Sequence, residues 1–171
     1  MKPHMLFPAL AILVVCAVAW PVIAQPAVAR NFIAHLSGDE EVPPVETLAQ
    51  GQAIFHLNED DAALSYRLIV ANIENVSVAH IHCGAAGVNG PVVVFLFGPA
   101  TPAVTVNGIL AEGIITDDDI IERPDSVQCP GGVADFDELV AKMRSGDAYV
   151  NVHTTAHPGG EMRGQIDVAG P

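Results

Sequence analysis

The sequence feature that most constrains the fold is a series of short runs in which apolar and polar residues alternate. Side chains of a strand point to opposite faces in turn, so a two-residue period predicts strands with one face in a core. Clusters of glycine, proline, asparagine and aspartate separate the runs and predict turns. We predict seven or eight strands, within residues 31–37, 49–57, 64–71, 76–83, 91–97, 104–115, 148–155 and 161–168.

One stretch near the C-terminus has the 3.6-residue period of a helix. Its apolar residues are spaced to share one helical face, and Gly146 follows the last turn. They are Phe136, Leu139, Val140 and Met143. We therefore predict a short crossover helix over residues 135–145 that packs on the strands. Many short strands with one helix predict an all-β fold, specifically an antiparallel Greek-key β-sandwich.

The N-terminus has the pattern of a secretory signal peptide. Lys2 provides a basic start, residues 6–20 are almost wholly apolar, and residues 22–24 offer small residues before a cleavage site. We predict a signal peptide over residues 1–24, and hence a secreted or periplasmic protein with no stable membrane span after cleavage. The alternative is an uncleaved membrane anchor, for which the apolar run is short.

Length and charge limit the organisation and the partners of the remaining chain. A chain of 171 residues suits a mobile lead-in over residues 25–30 and a single domain over residues 31–169. The chain has 20 Asp and Glu but 7 Lys and Arg, a net charge of −13, which excludes nucleic acid and anionic membranes as expected partners and attracts cations. The sequence contains no dinucleotide fingerprint and no nucleophile elbow. We therefore assign no catalytic residues and lean towards a protein that is not an enzyme.

Two predicted strands carry histidines at positions that share a face. His80 and His82 are two residues apart in one strand, so their side chains point the same way. His153 lies in the strand over 148–155, on the face opposite to the core-facing Val152. If the two strands are neighbours, three imidazoles converge on one polar surface, and His157, after a short turn, is a fourth candidate.

Such a cluster suits a transition metal, because neutral imidazole binds copper, zinc, nickel and iron. We predict a bound metal ion, with copper favoured over zinc. The predicted ligands are His80, His82, His153 and His157. Glu161 and Arg163 point outward on the last strand, where they would join this face and hold the imidazoles in one tautomer. The alternatives are a solvated polar strand face and, for Glu161 with Arg163, a surface ion pair.

Two cysteines remain once the predicted signal peptide is removed. In an exported protein, the pair Cys83 and Cys129 predicts a disulfide, which would contribute roughly 2–4 kcal/mol by closing a long loop. The alternative is that Cys83 is a thiolate ligand, since histidines, a cysteine and a methionine such as Met162 are the ingredients of a blue-copper centre. The acidic loop over residues 38–44 matches no calcium loop, and we expect it to be solvated.

Five motifs, in order, resemble the CHRD (chordin) domain. They are LSGDEEVPP at 36–44, AHIH at 79–82, NGPVV at 89–93, YVNVHT at 149–154 and PGGEMRGQI at 158–166. The resemblance covers residues 32–166 and is to the exported bacterial type, which implies an extracellular all-β domain. The motif residues carried over are His80, His82, Asn151, His153, Glu161, Arg163 and Gln165. The resemblance thus adds Asn151 to the residues expected around the histidines. The ordinary bacterial form often lacks a cysteine at the position of Cys83, which supports a local disulfide.

The His-x-His strand followed by a glycine-rich loop is also similar to copper-zinc superoxide dismutase. We therefore expect the sandwich to be immunoglobulin-like or superoxide-dismutase-like. Three functions are compatible with these patterns. The first is an exported metal-binding module, with copper favoured. The second is a structural or interaction domain without metal, which would bind an extracellular or periplasmic protein. The third is a dismutase-like copper enzyme.

Overall fold

The computed structural model describes residues 28–170, so the predicted signal peptide lies outside the described residues. Along the chain the elements are β1 (Asn31–Ser37), a 3-10 turn (Gly38–Glu40), β2 (Gln50–Leu57), β3 (Leu64–Ala71), β4 (Val76–Cys83), β5 (Val92–Phe97), β6 (Gly108–Ile115), a second 3-10 turn (Asp117–Asp119), α1 (Phe136–Ser145), β7 (Ala148–Thr154), β8 (Met162–Gln165) and β9 (Asp167–Val168). Within residues 28–170, no helix is long and apolar enough to cross a membrane.

The strands form one sheet in the order β5-β4-β7-β8-β1-β2-β3-β6, and β9 pairs with β1. All of these pairings are antiparallel. The two end strands, β5 and β6, approach each other, so the sheet is nearly closed. The predicted all-β, antiparallel class with one short helix is confirmed, whereas the Greek-key connections are not confirmed.

The strand bounds agree closely with those predicted. β1, β3 and β4 have the predicted bounds, and β2 and β5 start one residue later. β6 begins at Gly108 rather than at residue 104, because Val104 forms an isolated bridge with Val76 instead of continuing a ladder. The last predicted strand is two short strands, β8 and β9, which are interrupted at the buried Ile166.

The helix α1 has the predicted position and the predicted apolar face. Asp135 caps its N-terminus by accepting a hydrogen bond from the N–H of Glu138, and Gly146 ends it in the left-handed conformation, with φ 74°. Its buried residues are Phe136, Leu139, Val140 and Met143. The helix packs against β7 and β9, so it supports the strand that carries His153.

The polar face of β7 is also buried, so the alternative of a solvated strand face is wrong. All seven residues of β7 are buried, although alternation predicts one exposed face. Two loops cover the polar side: the β1–β2 loop (residues 38–49) and the β4–β5 loop (residues 84–91). Asn89 of the second loop donates from Nδ2 to the carbonyl oxygen of Val42 in the first, over 2.7 Å. The histidines therefore lie beneath loops rather than on an open surface.

Candidate metal centre

The pairing of β4 with β7 brings three histidines together. In the antiparallel register His80 is opposite Asn151, His82 is opposite Tyr149, and Val78 is opposite His153. One ring nitrogen from each of His80, His82 and His153 lies within 4.8 Å of the other two. Each histidine is about 8% exposed. The predicted convergence of the two strands is confirmed, and it forms a compact cluster of nitrogen donors.

Backbone carbonyls fix the orientation of two of the rings. His82 Nδ1 lies 2.9 Å from the carbonyl oxygen of Gly90, and His153 Nδ1 lies 3.0 Å from that of Pro158. A carbonyl oxygen only accepts, so both Nδ1 atoms carry the proton and both Nε2 atoms carry a lone pair. Metal-binding histidines are typically oriented by such an outer hydrogen bond.

The third ring completes the cluster through a hydrogen bond between imidazoles. His80 Nδ1 lies 3.2 Å from His153 Nε2, so His80 donates to the lone pair of His153. A shift of the His80 proton to its Nε2 would free this Nδ1 lone pair as well. His82 Nε2 is buried and has no hydrogen-bond partner within residues 28–170. The three rings can therefore supply three neutral nitrogen ligands to a metal ion.

Burial keeps these imidazoles neutral. Desolvation, and next the neighbouring histidines His153 and His82, lower the pKa of His80 to about 4. Desolvation likewise lowers the pKa of His82 to about 4, against the opposing effect of its hydrogen bond to Gly90. The pKa of His153 is also lowered, again mainly by burial. Since a metal ion binds the neutral form of imidazole, the cluster is ready to bind at neutral pH.

Aromatic side chains form the walls of the cluster. The Tyr149 ring stacks on His82 with centroids 4.8 Å apart and an interplanar angle of 12°. The guanidinium carbon of Arg163 lies 3.5 Å from the centroid of the same Tyr149 ring. On the other side, Phe95 packs edge-on against His80 with centroids 4.5 Å apart. These contacts restrict the histidine rings to one arrangement.

The β4–β5 loop positions both His82 and Tyr149 through one residue. Gly90 accepts from His82 at its carbonyl oxygen and donates from its N–H to the Tyr149 hydroxyl, over 3.0 Å. A Cβ atom at Gly90 would lie 1.7 Å from the carbonyl oxygen of Cys83, so no other residue fits this approach. The glycine-rich loop therefore allows a close backbone approach to the histidines.

The predicted disulfide is confirmed. Cys83, at the end of β4, is bonded to Cys129, with their Cα atoms 5.4 Å apart. Its sulfur is committed to this bond, so the alternative of a Cys83 thiolate ligand is wrong. Met162 does not take part either, because it is fully buried with its Sδ and Cε atoms against Gly51. The blue-copper ligand set is therefore not assembled.

The structure does not bring His157 into the cluster. This residue lies on the turn after β7, where its N–H donates to Thr154 Oγ1 over 3.1 Å and its carbonyl oxygen accepts from Gly160. The three nitrogens within 4.8 Å of one another come from the other histidines. The structure thus brings together three of the four predicted ligands, because the chain leaves the sheet at Thr154 and His157 lies on the turn that follows.

Glu161 and Arg163 are buried, which corrects the surface ion pair as an alternative. Arg163 is 1% exposed and Glu161 is 8% exposed, and they form no salt bridge with each other. Glu161 accepts hydrogen bonds from the hydroxyls of Thr47 (2.8 Å) and Thr154 (2.6 Å). Arg163 donates to Asn89 Oδ1 (3.3 Å) and to the carbonyl oxygen of Ala85 (3.1 Å). Both residues therefore hold the covering loops rather than bonding to the imidazoles.

Asn151 also binds a covering loop, and its partner is a residue that the sequence patterns do not single out as a site residue. Asn151 Nδ2 lies 3.4 Å from Oε2 of Glu41. The sequence predicts a solvated acidic loop around Glu41, but this residue is 5% exposed. For Glu41 that expectation is wrong, because the β1–β2 loop folds over β7 and buries this one carboxyl, whereas Asp39 and Glu40 are exposed. The signal that could have found Glu41 is its place in the first of the five motifs.

The fold and the cluster together define a class: an all-β protein with three buried histidines that could hold a metal ion. A family model for the CHRD domain matches residues 32–166. The match covers most of the chain, and this protein belongs to the CHRD domain family, as the motifs predict. No curated protein and no solved structure matches the chain significantly.

Proposed function

We propose that this CHRD-domain protein binds one transition-metal ion through His80, His82 and His153, with copper favoured over zinc. One observation supports the proposal above all others. Three neutral imidazoles converge within 4.8 Å in a buried setting, and the Nε2 atom of His82 has no partner within the described chain. A buried polar atom without a partner costs about 1–3 kcal/mol, and a coordinated ion would remove this cost.

The choice of copper follows from the donor set. In the Irving–Williams order, Cu²⁺ is the divalent first-row metal ion that nitrogen ligands bind most tightly. Zinc also accepts three histidines with water in a fourth position, so it is the expected competitor. The net charge of −13 would concentrate either cation near the protein.

The proposed setting is outside the cytoplasm. The chain starts with a predicted signal peptide over residues 1–24. We propose that this peptide is cleaved and that the exported protein is a single domain. The Cys83–Cys129 disulfide fits an oxidising compartment, which supports secretion or a periplasmic location.

Calorimetric titration of the exported, disulfide-bonded protein with Cu²⁺, Cu⁺ and Zn²⁺ tests the proposal. We expect one copper ion per chain, bound more tightly than zinc, and loss of this binding in His82→Ala. The matched control is His35→Ala, because His35 is an exposed histidine on β1. Unchanged copper binding in His82→Ala, or no binding by the wild type, would contradict the proposal.

A second candidate function is a structural or interaction domain in which the histidines bond to each other. The 3.2 Å contact between His80 Nδ1 and His153 Nε2 favours it, because this bond needs no metal. His80→Ala would then lower the free energy of unfolding without altering any metal affinity.

A third candidate function is that of a dismutase-like copper enzyme. Superoxide turnover by the copper-loaded protein is its test.

A further inference from the structure

A buried carboxyl faces a buried amide on the polar side of β7. Glu41, in the β1–β2 loop, is 5% exposed, and Asn151 is 3% exposed. Asn151 Nδ2 donates to Glu41 Oε2 over 3.4 Å. The other oxygen of each group, Glu41 Oε1 and Asn151 Oδ1, is buried and has no hydrogen-bond partner in the described part of the chain.

These two oxygens lie on the same side of the turn, no more than twice 2.5 Å apart, because each is 2.5 Å from the position that a Cβ atom on Gly160 would occupy. Gly160 has φ 127°, a conformation that favours glycine, and its missing side chain leaves room for the pair. Two buried acceptors side by side repel each other unless a proton lies between them.

We propose that Glu41 is a protonated carboxylic acid at mildly acidic pH and closes a two-bond ring with Asn151, which attaches the β1–β2 loop to β7. In this ring, Glu41 Oε1–H donates to Asn151 Oδ1, and Asn151 Nδ2–H donates to Glu41 Oε2. Both oxygens without partners are then satisfied by one proton. The ring opens when Glu41 ionises, because the carboxylate has no donor to offer. The inference stands on Glu41 and Asn151 and does not depend on metal binding.

Several charged or titratable groups surround Glu41. Arg163 on β8 favours the ionised form through its positive charge. The other nearby groups are the carboxyl of Glu40, which precedes Glu41 in the loop, and the hydroxyl of Tyr149 on β7. The turn after β7 contributes His157 across a cavity of about 310 Å³. Glu161 follows this turn and is bound by the hydroxyls of Thr47 and Thr154. Burial outweighs the attraction of Arg163 and raises the pKa of Glu41 to about 7.

The ring of Glu41 and Asn151 lies where the β1–β2 loop meets the turn that follows β7. Glu41 and Gly160 line the same cavity, so the ring joins the β1–β2 loop to β7 beside the turn at residues 157–160. The loop is also held by Asn89, which donates to Val42, and by Thr47, which donates to Glu161. Ionisation of Glu41 therefore loosens one attachment of the loop and leaves the other two in place.

Carboxyl-carbon NMR of the ¹³C-labelled, metal-free exported protein tests the proposal directly. We expect one glutamate to titrate with a midpoint near pH 7, its signal being absent from Glu41→Gln and retained in the exposed neighbour variant Glu40→Gln. A Glu41 midpoint below about pH 5.5 would overturn the proposal. A midpoint that millimolar Ca²⁺ or Mg²⁺ moves downward would also overturn it, because the two oxygens would then form a cation site.

Stability against pH gives a second, independent measurement. The amide of Glu41→Gln donates to Asn151 at every pH, whereas wild-type Glu41 loses its proton as the pH rises. A raised pKa contributes stability that is complete below pH 4.5 and is lost as the pH rises through about 7. The folded-to-unfolded ratio of the wild type, relative to Glu41→Gln, should therefore fall by roughly two orders of magnitude over this window. Parallel curves of stability against pH for the wild type and Glu41→Gln would refute the proposed ring. The curve for Glu40→Gln should run parallel to that of the wild type.

Discussion

At the scale of single residues, Tyr149 is a natural reporter of the proposed metal. Its ring stacks on His82 at 4.8 Å, whereas Tyr66 lies on β3 and bonds to the carbonyl oxygen of Leu96. The sequence has two tyrosines, and its single tryptophan, Trp20, lies in the predicted signal peptide. The exported form would therefore have tyrosine fluorescence alone.

We predict that stoichiometric Cu²⁺ quenches most of the Tyr149 fluorescence. A bound Cu²⁺ quenches aromatic emission at short range, and Tyr149 is in contact with one proposed ligand. Fluorescence titration of Tyr66→Phe should show strong, saturable quenching, and the same titration of Tyr149→Phe should show little. Equal quenching in both variants would mean that copper does not bind at His82.

The individual histidines are predictable from the sequence, but their surroundings are not. Because the side chains of a strand alternate between its two faces, the two-residue spacing of His80 and His82 is enough to place both on one face. Glu41 escapes prediction because its burial depends on a loop that folds onto a strand more than 100 positions away in the sequence. The structure groups His80, His82 and His153 without His157, because the direction of a turn after a strand cannot be read from residue type.

At the scale of elements, strand bounds and the helix follow from local patterns, while the covering of the sheet does not. β3 and β4 match their predicted bounds to the residue, since alternation and turn residues are local signals. The burial of both faces of β7 comes from the β1–β2 and β4–β5 loops, which contribute contacts of long sequence separation. Alternation therefore identifies a polar face correctly but wrongly indicates that water covers it.

The turn between β7 and β8 contains two adjacent glycines with different roles. Gly160 has φ 127°, and a Cβ there would lie 2.5 Å from Glu41 Oε1 and from Asn151 Oδ1. A Cβ on Gly159 would meet no atom of the described residues within 4 Å. Glycine is required at position 160 by the backbone conformation and by the close approach of the acid and the amide.

We predict that Gly160→Ala lowers the free energy of unfolding by about 2 kcal/mol or more, because strain and a steric clash act together. Gly159→Ala should change it by less than about 0.5 kcal/mol, as is usual at an exposed position. Urea unfolding followed by circular dichroism measures both. Equal effects of the two substitutions would show that the turn, rather than the packing against Glu41 and Asn151, determines the cost.

At the scale of the whole molecule, buried histidines make stability depend on pH. The pKa values of His80 and His82 are lowered from 6.5 to about 4, so between these values the unfolded chain binds protons that the folded protein excludes. The free energy of unfolding therefore falls as the pH falls from 6.5 towards 4. Glu41 acts in the opposite sense between pH 4.5 and about 7, so the histidine effect is best measured in Glu41→Gln.

In Glu41→Gln we predict that the free energy of unfolding falls on acidification. The additional substitution His82→Ala should make this fall smaller. Each unit by which a pKa is lowered corresponds to about 1.4 kcal/mol when the site is fully titrated. Urea unfolding from pH 7.5 to pH 4.5 measures the loss, and identical pH profiles with and without His82 would contradict its buried, neutral state. Copper should add stability, since a ligand at one hundred times its dissociation constant adds about 2.7 kcal/mol. Protons compete with the metal for His80 and His82 only as the pH approaches their lowered pKa of about 4, so this added stability should be present at pH 7.5 and should be lost as the pH falls through about 4. A single cluster would thereby couple the folding of this CHRD domain to both metal and pH.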